Sequence, residues 1–181
     1  MDKKDFTFSI RDITEIGILC ALAIILDTFV KVPVGENGGS INIAMVPLFL
    51  IALHKGWFKG LIAGGIVFGL LSCLIDGYGF VTYPLDYLVA YGGVAVVGVM
   101  RNLIIKEKID GKSYLFYILA ILVAFVIRLI GATIDGIILW ETPFVDSLIY
   151  NLTYLIPSFA ICEMILVPTL TTFNDLFKRL S

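Results

Sequence analysis

Five long and almost uninterrupted apolar runs, at residues 13–30, 57–75, 85–104, 114–140 and 147–172, constrain this chain more than any other feature. A helix that crosses a bilayer needs roughly 20 predominantly apolar residues, and tilt accommodates the longer runs. A sixth run, 41–53, is short and contains Pro47; alone it reads as a re-entrant or interfacial segment. With 59% hydrophobic and 15% charged residues among 181, the chain carries more apolar side chains than a soluble domain of that size buries. Its mean hydropathy of +0.99 agrees. The expected fold is all-α, an integral membrane bundle forming one membrane domain over residues 1–181.

Charge placement decides whether 41–53 spans, because Lys and Arg accumulate in cytoplasmic loops. If it spans, one side receives Lys3, Lys4, Arg11, Lys55, Lys59, Arg101, Lys106, Lys108, Lys112, Lys178 and Arg179, which are 11 of the 13 basic residues. The opposite side keeps Lys31, and Arg128 lies inside a helix. If it did not span, the basic loop 101–112 would move away from the N-terminal side. Six transmembrane helices with cytoplasmic N and C termini are therefore expected. The mixed charges before Ile13, with no small-residue cleavage site after the first run, mark 13–30 as a retained helix and not a signal peptide.

Several function classes lack support. Cys20, Cys73 and Cys162 all lie within apolar runs, where a thiol packs as a small hydrophobe. No nucleotide-binding glycine loop, His-Glu-x-x-His pair or Gly-x-Ser-x-Gly elbow occurs, so no energy-coupling, hydrolytic or cofactor site of the chain's own is expected. His54, next to Lys55 in a cytoplasmic turn, is expected to be solvated.

The outer connections have the richer chemistry. Residues 31–40 combine Gly35, Gly38 and Gly39 with Pro33, as expected of a mobile loop or lid. Residues 76–84 mix turn formers with aromatics, and 141–146 holds Glu141, Pro143 and Asp146.

Charges in mid-bilayer cost several kcal/mol on insertion scales, so each requires a partner, a wet cavity or a ligand. Asp27, Asp86, Arg128 and Asp135 raise that question. Arg128 and Asp135 stand two turns apart on one helix face; a structural ion pair and a pocket-lining role are both open. Asp86 lies among Tyr83, Tyr87 and Tyr91, and a carboxylate and aromatic faces both attract a cation. The alternative is an interfacial aromatic belt with Asp86 as a helix N-terminal charge. Asn151, Tyr154 and Ser158 share a face at i, i+3 and i+7, a polar stripe that either contacts a ligand or holds helices together. Trp140 suits either an interface anchor or a stacking platform. Gly17 and Ala21 make a small pair that lets another helix approach closely.

In order and spacing, these stretches resemble the membrane-embedded substrate-binding subunits of energy-coupling factor vitamin transporters, most closely the thiamine-specific ones. The resemblance is carried by the small pair Gly17 and Ala21, residues 43–60, Pro84-Leu-Asp-Tyr-Leu-Val-Ala, Arg128 to Trp140, and the stretch from Ser147 through Asn151 to Pro157. It implies a subunit of a bacterial plasma-membrane importer that binds thiamine at the outer face. It also implies transfer of the ligand to a transmembrane partner driven by two cytoplasmic ATPase subunits, with no role for nucleic acid. On the matching positions it implies a pocket of Asp86, Tyr87, the backbone near Gly136, Trp140 and Asn151, with Arg128 at a basic position, and docking through Gly17 and Ala21. The chain departs from the family pattern at Ala132, where that pattern has a histidine, and at Asp146, where it has a tyrosine; Asp135 is an added acid. A repacked thiamine site, a thiamine precursor or another basic heterocycle fits these changes. An intramembrane enzyme using Asp86, Asp135 or Asp146, and an autonomous secondary transporter using Asp135 and Arg128, are the competing classes.

Overall fold

The structure, a computed structural model, describes residues 6–35 and 38–180. Lys3 and Lys4 of the charge count, and residues 36 and 37 of the first outer connection, lie outside them. The described chain is mostly helical: α1 Ile10–Phe29, α2 Met45–Lys55, α3 Trp57–Asp76, α4 Tyr83–Val99, α5 Arg101–Ile104, α6 Gly111–Leu139 and α7 Phe144–Leu180. Among the described residues, three stretches are long and apolar enough to cross a membrane, Trp57–Asp76, Gly111–Leu139 and Phe144–Arg179. The helices α2 and α4 are shorter apolar segments.

Local chemistry sets the boundaries. Ser9 and Asp12 form a reciprocal capping box at α1, Ser9 Oγ accepting from Asp12 N and Asp12 Oδ2 accepting from Ser9 N, each at 3.1 Å. Asp110 caps α6 by accepting from Ser113 N and Oγ at 2.8 and 2.9 Å. Those bonds hold the exposed Asp110 carboxyl below the usual range. Gly56 separates α2 from α3 at φ 92°, a conformation that side chains disfavour.

The expected loop at 31–40 contains a short antiparallel hairpin. Strands β1 Lys31–Pro33 and β2 Ser40–Asn42 pair Lys31 with Asn42, Val32 with Ile41 and Pro33 with Ser40. Helix α2 consequently begins at Met45, after the start of the apolar run. The apolar residues at 41 and 43 that extend the run belong to the hairpin and its exit, where strand pairing satisfies the backbone.

Two stretches widen to π geometry, Ile62–Phe68 in α3 and Tyr83–Val89 in α4. They pack against each other with little between them. A Cβ on Gly65 would lie 2.9 Å from the Leu88 carbonyl, so only glycine permits the crossing. The core gathers Leu48, Phe49, Phe68, Tyr91, Tyr117, Phe125 and Leu166. Helix α6 shows how the bundle is sorted: Ile118, Leu122, Val126 and Ile130 are exposed, while Arg128, Thr133 and Asp135 are buried. Apolar groups outside and polar groups inside is the arrangement that lipid favours.

The bundle has two chemically distinct ends. At one, Lys55 and Lys59 pair with Asp12 at 3.0 and 2.9 Å, and Asn174 and Lys178 donate to the carbonyls of Lys106 and Glu107. His54 is here, half-buried and stacked on Phe177 at 4.3 Å with Glu15 3.5 Å from Nε2. This corrects the expectation of a solvated His54: the C-terminal turns of α7 cover the α2–α3 turn. The three cysteines are buried and free. The other end holds the hairpin and a large cavity.

Candidate functional site

The cavity has a volume of about 550 Å³ and opens between the ends of α1, α3, α4, α6 and α7 beneath the hairpin. All nine ligand-contact candidates from the sequence, Asp86, Tyr87, Arg128, Asp135, Gly136, Trp140, Asp146, Asn151 and Tyr154, line it. Five carboxylates, those of Asp27, Asp76, Asp86, Asp135 and Asp146, face two cations, Lys31 and Arg128. Six aromatic side chains complete the wall. An acidic, aromatic cavity shielded from bulk water attracts a cationic ring.

Arg128 and Asp135 do not pair. Arg128 Nη2 donates to Tyr91 Oη at 2.9 Å, and the guanidinium lies 4.4 Å from the centre of that ring. Its Nη1 is buried without a partner. The Asp135 carboxylate meets the Trp140 side chain, yet its Oδ1 is buried with no hydrogen bond. Asp86, placed by the π stretch that opens α4, receives no side-chain hydrogen bond among the described residues. Among the described residues, Arg128 Nη1, Asp135 Oδ1 and the Asp86 carboxylate thus remain without a side-chain hydrogen bond.

Helix α6 presents Arg128, Ala132 and Gly136 at four-residue intervals along one face, and Trp140 follows as the residue that ends it. Ala132 and Gly136 line the cavity together with Trp140, which meets Tyr78 edge-on at 6.0 Å. Opposite, Tyr154 Oη donates to Asn151 Oδ1 at 2.5 Å, and Asn151 Nδ2 donates to the Ser147 carbonyl at 2.9 Å. Ser158 Oγ accepts from Asn42 N at 3.2 Å. The polar stripe lines the cavity at Asn151 and Tyr154 and fastens the hairpin at Ser158. Asp146 is exposed at the rim.

Sequence reading passed over a second acidic wall. Asp27 accepts from Asn42 Nδ2 at 3.0 Å and from Ser72 Oγ at 2.8 Å. Asp76 accepts from Tyr87 Oη at 3.1 Å and lies 3.5 Å from Lys31 Nζ. Asp27 raised a question in the sequence, but Asp76 read as a turn residue. The available signal was Ser72 and Asp76 at i, i+4, two polar groups on one face of a run otherwise apolar. Tyr150 is also functional in placement: its hydroxyl donates to the Val34 carbonyl and accepts from Gly39 N, both at 2.9 Å. It pins the hairpin over the cavity.

Gly17 and Ala21 lie far from this site, exposed on α1, and nothing stands within 4 Å of a Cβ built at Gly17.

Comparison with known proteins agrees with this architecture. The described fold superposes on a solved structure of ThiT from Listeria monocytogenes with a TM-score of 0.76, covering 92% of this chain and 97% of that one at 20% identity. The thiamine transporter ThiT of Bacillus subtilis (strain 168) is 33% identical over 91% of this chain and 92% of its own length. Residues 13–178 match the family model for thiamine transporter proteins, and relatives of this kind are transporters, not enzymes. The chain is a membrane protein that belongs to the thiamine transporter family.

Proposed function

We propose that this protein binds thiamine at the outer face of the bacterial plasma membrane as the substrate-binding subunit of an energy-coupling factor importer. The observation that carries this reading is the 550 Å³ cavity, whose excess of carboxylates over cations and whose aromatic wall suit a cationic heteroaromatic ligand. Six transmembrane helices with cytoplasmic termini form one membrane domain over residues 1–181, and this orientation turns the basic end of the bundle toward the cytoplasm. Thiamine enters beneath the hairpin and stacks on Trp140. Asp86, Tyr87, Asn151 and Tyr154 supply acceptors and donors for its polar edges, and Arg128 fixes Tyr91 behind them.

Binding is passive. The energy for release comes from a transmembrane partner and two cytoplasmic ATPase subunits, for which the exposed small pair Gly17 and Ala21 offers a close docking line. Neither a cofactor nor nucleic acid takes part.

Tryptophan fluorescence tests the reading. Trp140 lies in the cavity, whereas Trp57 packs against Phe6 and Phe58 at the other end of the bundle. Thiamine should quench the purified protein and the Trp57→Phe variant, but not Trp140→Phe. Asp86→Asn should weaken binding by about 10- to 100-fold, the worth of a hydrogen bond to a charged group. Undiminished tight quenching in Asp86→Asn would remove that residue from the site. The opening at Ala132 and the added acids favour one second reading, a thiamine precursor or related basic heterocycle. Tighter binding of such a compound than of thiamine in the same titration would select it.

A further inference from the structure

Asp135 is 3% exposed and lies on the cavity wall; its carboxylate meets the Trp140 side chain, but its Oδ1 has no hydrogen-bond partner among the described residues. Burying a carboxylate without a full set of partners is costly, and a fold keeps such a group where something else completes it. The cations of the cavity do not. Arg128 is engaged with Tyr91, and Lys31 lies beside Asp76. What does lie beside Asp135 is space. Ala132, one turn earlier on the same face, and Trp140 line the cavity beside it. A flat ring set there would have an aromatic face on one side and a carboxylate at its edge. Asp86, on a different helix, also has no side-chain hydrogen-bond partner and is left for the ligand's other donors.

We propose that Asp135 is a specificity-determining residue: it provides the counter-charge for a positively charged ring of the ligand, which occupies the space left by Ala132. This inference rests on the thiamine reading but makes a separate claim, namely which part of the ligand Asp135 recognises. It predicts selection for charge and not for shape alone. A ligand of the same outline with a neutral ring leaves the carboxylate uncompensated, and binds more weakly for that reason.

The test measures binding of thiamine and of an analogue whose thiazolium is replaced by an uncharged thiophene ring. Wild type, Asp135→Asn, Asp135→Glu and Asp86→Asn are compared, each with a melting temperature in detergent. Wild type should prefer thiamine by roughly 10- to 100-fold. Asp135→Asn should lose most of that preference by weakening thiamine alone, Asp135→Glu should keep it, and Asp86→Asn should weaken both ligands. Removing an uncompensated buried charge should also raise the melting temperature of the ligand-free protein in Asp135→Asn, whereas a structural role would lower it. If thiamine binds wild type tightly but Asp135→Asn keeps the full preference, or weakens both ligands equally, the role of Asp135 is overturned and the thiamine reading stands. If thiamine does not bind wild type, the reading itself fails. Should Asp135→Asn not fold, Asp135→Glu decides: loss of the charge preference there overturns the proposal, because the carboxylate is retained.

Discussion

At Gly136 a single missing side chain holds two helices and a cavity wall in place. A Cβ built there runs into Ser147 Oγ, which is fixed by donating to the Thr133 carbonyl at 3.1 Å. Gly136→Ala should therefore destabilise the protein by about 1–3 kcal/mol, the usual cost of overpacking. Ser147→Ala in the same chain should recover most of the loss. Thermal unfolding of the single and double variants measures the coupling, and strictly additive effects would show that the two positions do not compete for one space. Residues of this kind divide by how plainly the sequence announces them. Asp86, Arg128 and Asp135 stand out because lipid excludes charge, so their mere presence in apolar runs is informative. Asp76 does not, because an aspartate next to a glycine at a helix end has an ordinary explanation in turn formation. What chose Arg128's partner was tertiary: Tyr91 lies on another helix, and spacing along α6 left an ion pair with Asp135 and a pocket-lining role equally open.

The hairpin is the element that sequence reading resolved least. Glycine and proline at 31–40 announced a loop, but the pairing of Val32 with Ile41 depends on contacts from α7 that no local pattern encodes. Tyr150 makes the decisive ones. With its two hydrogen bonds removed, Tyr150→Phe should loosen the hairpin and release ligand about 5- to 30-fold faster, corresponding to about 1–2 kcal/mol. Stopped-flow displacement would read this as a change in dissociation rate, and an unchanged rate would mean that the hairpin does not limit escape. At the opposite end, the first turn of α1 is tied down electrostatically. Burial raises the Asp12 carboxyl, but hydrogen bonds from Lys59, the Ser9 backbone and Lys55 outweigh burial and hold it well below the ordinary aspartate range. A carboxyl whose folded value is depressed contributes its full stability above the unfolded value, near pH 4, and loses it as pH falls further. Melting temperature should therefore drop between pH 5 and pH 3 on the order of a few degrees more in wild type than in Asp12→Asn. Parallel profiles for the two proteins would remove Asp12 from the account.

Across the whole molecule, the described basic residues and the cavity separate to opposite ends of the bundle. The described members of the basic set away from the cavity, including Lys55, Lys59, Lys106 and Lys178, sit at the end opposite Trp140 and the hairpin. This much was legible in sequence, because hydropathy and charge report on the solvent and not on the fold. An orientation test follows from the buried state of the three native thiols, which should leave them unreactive. In intact cells a membrane-impermeant thiol reagent should label Asp146→Cys and spare Lys108→Cys, and the reverse pattern would invert the protein.

The π stretch over Tyr83–Val89 has a consequence of its own for how this cavity can change. Closing a turn at i+5 in place of i+4 accommodates one residue more than an α-helix would. Deleting a single residue within 84–89 would let that turn relax to ordinary α geometry while the helix on either side kept its bearing, because the wide turn absorbs the extra residue locally. Only residues inside the turn, Asp86 and Tyr87 among them, would shift relative to Tyr91 and the glycine crossing with α3. Substitution retunes which ligand the wall prefers, whereas a change of length here would re-aim that part of the wall and leave the bundle around it in place. Variation among proteins built this way should therefore accumulate in side chains and avoid insertions or deletions at that turn.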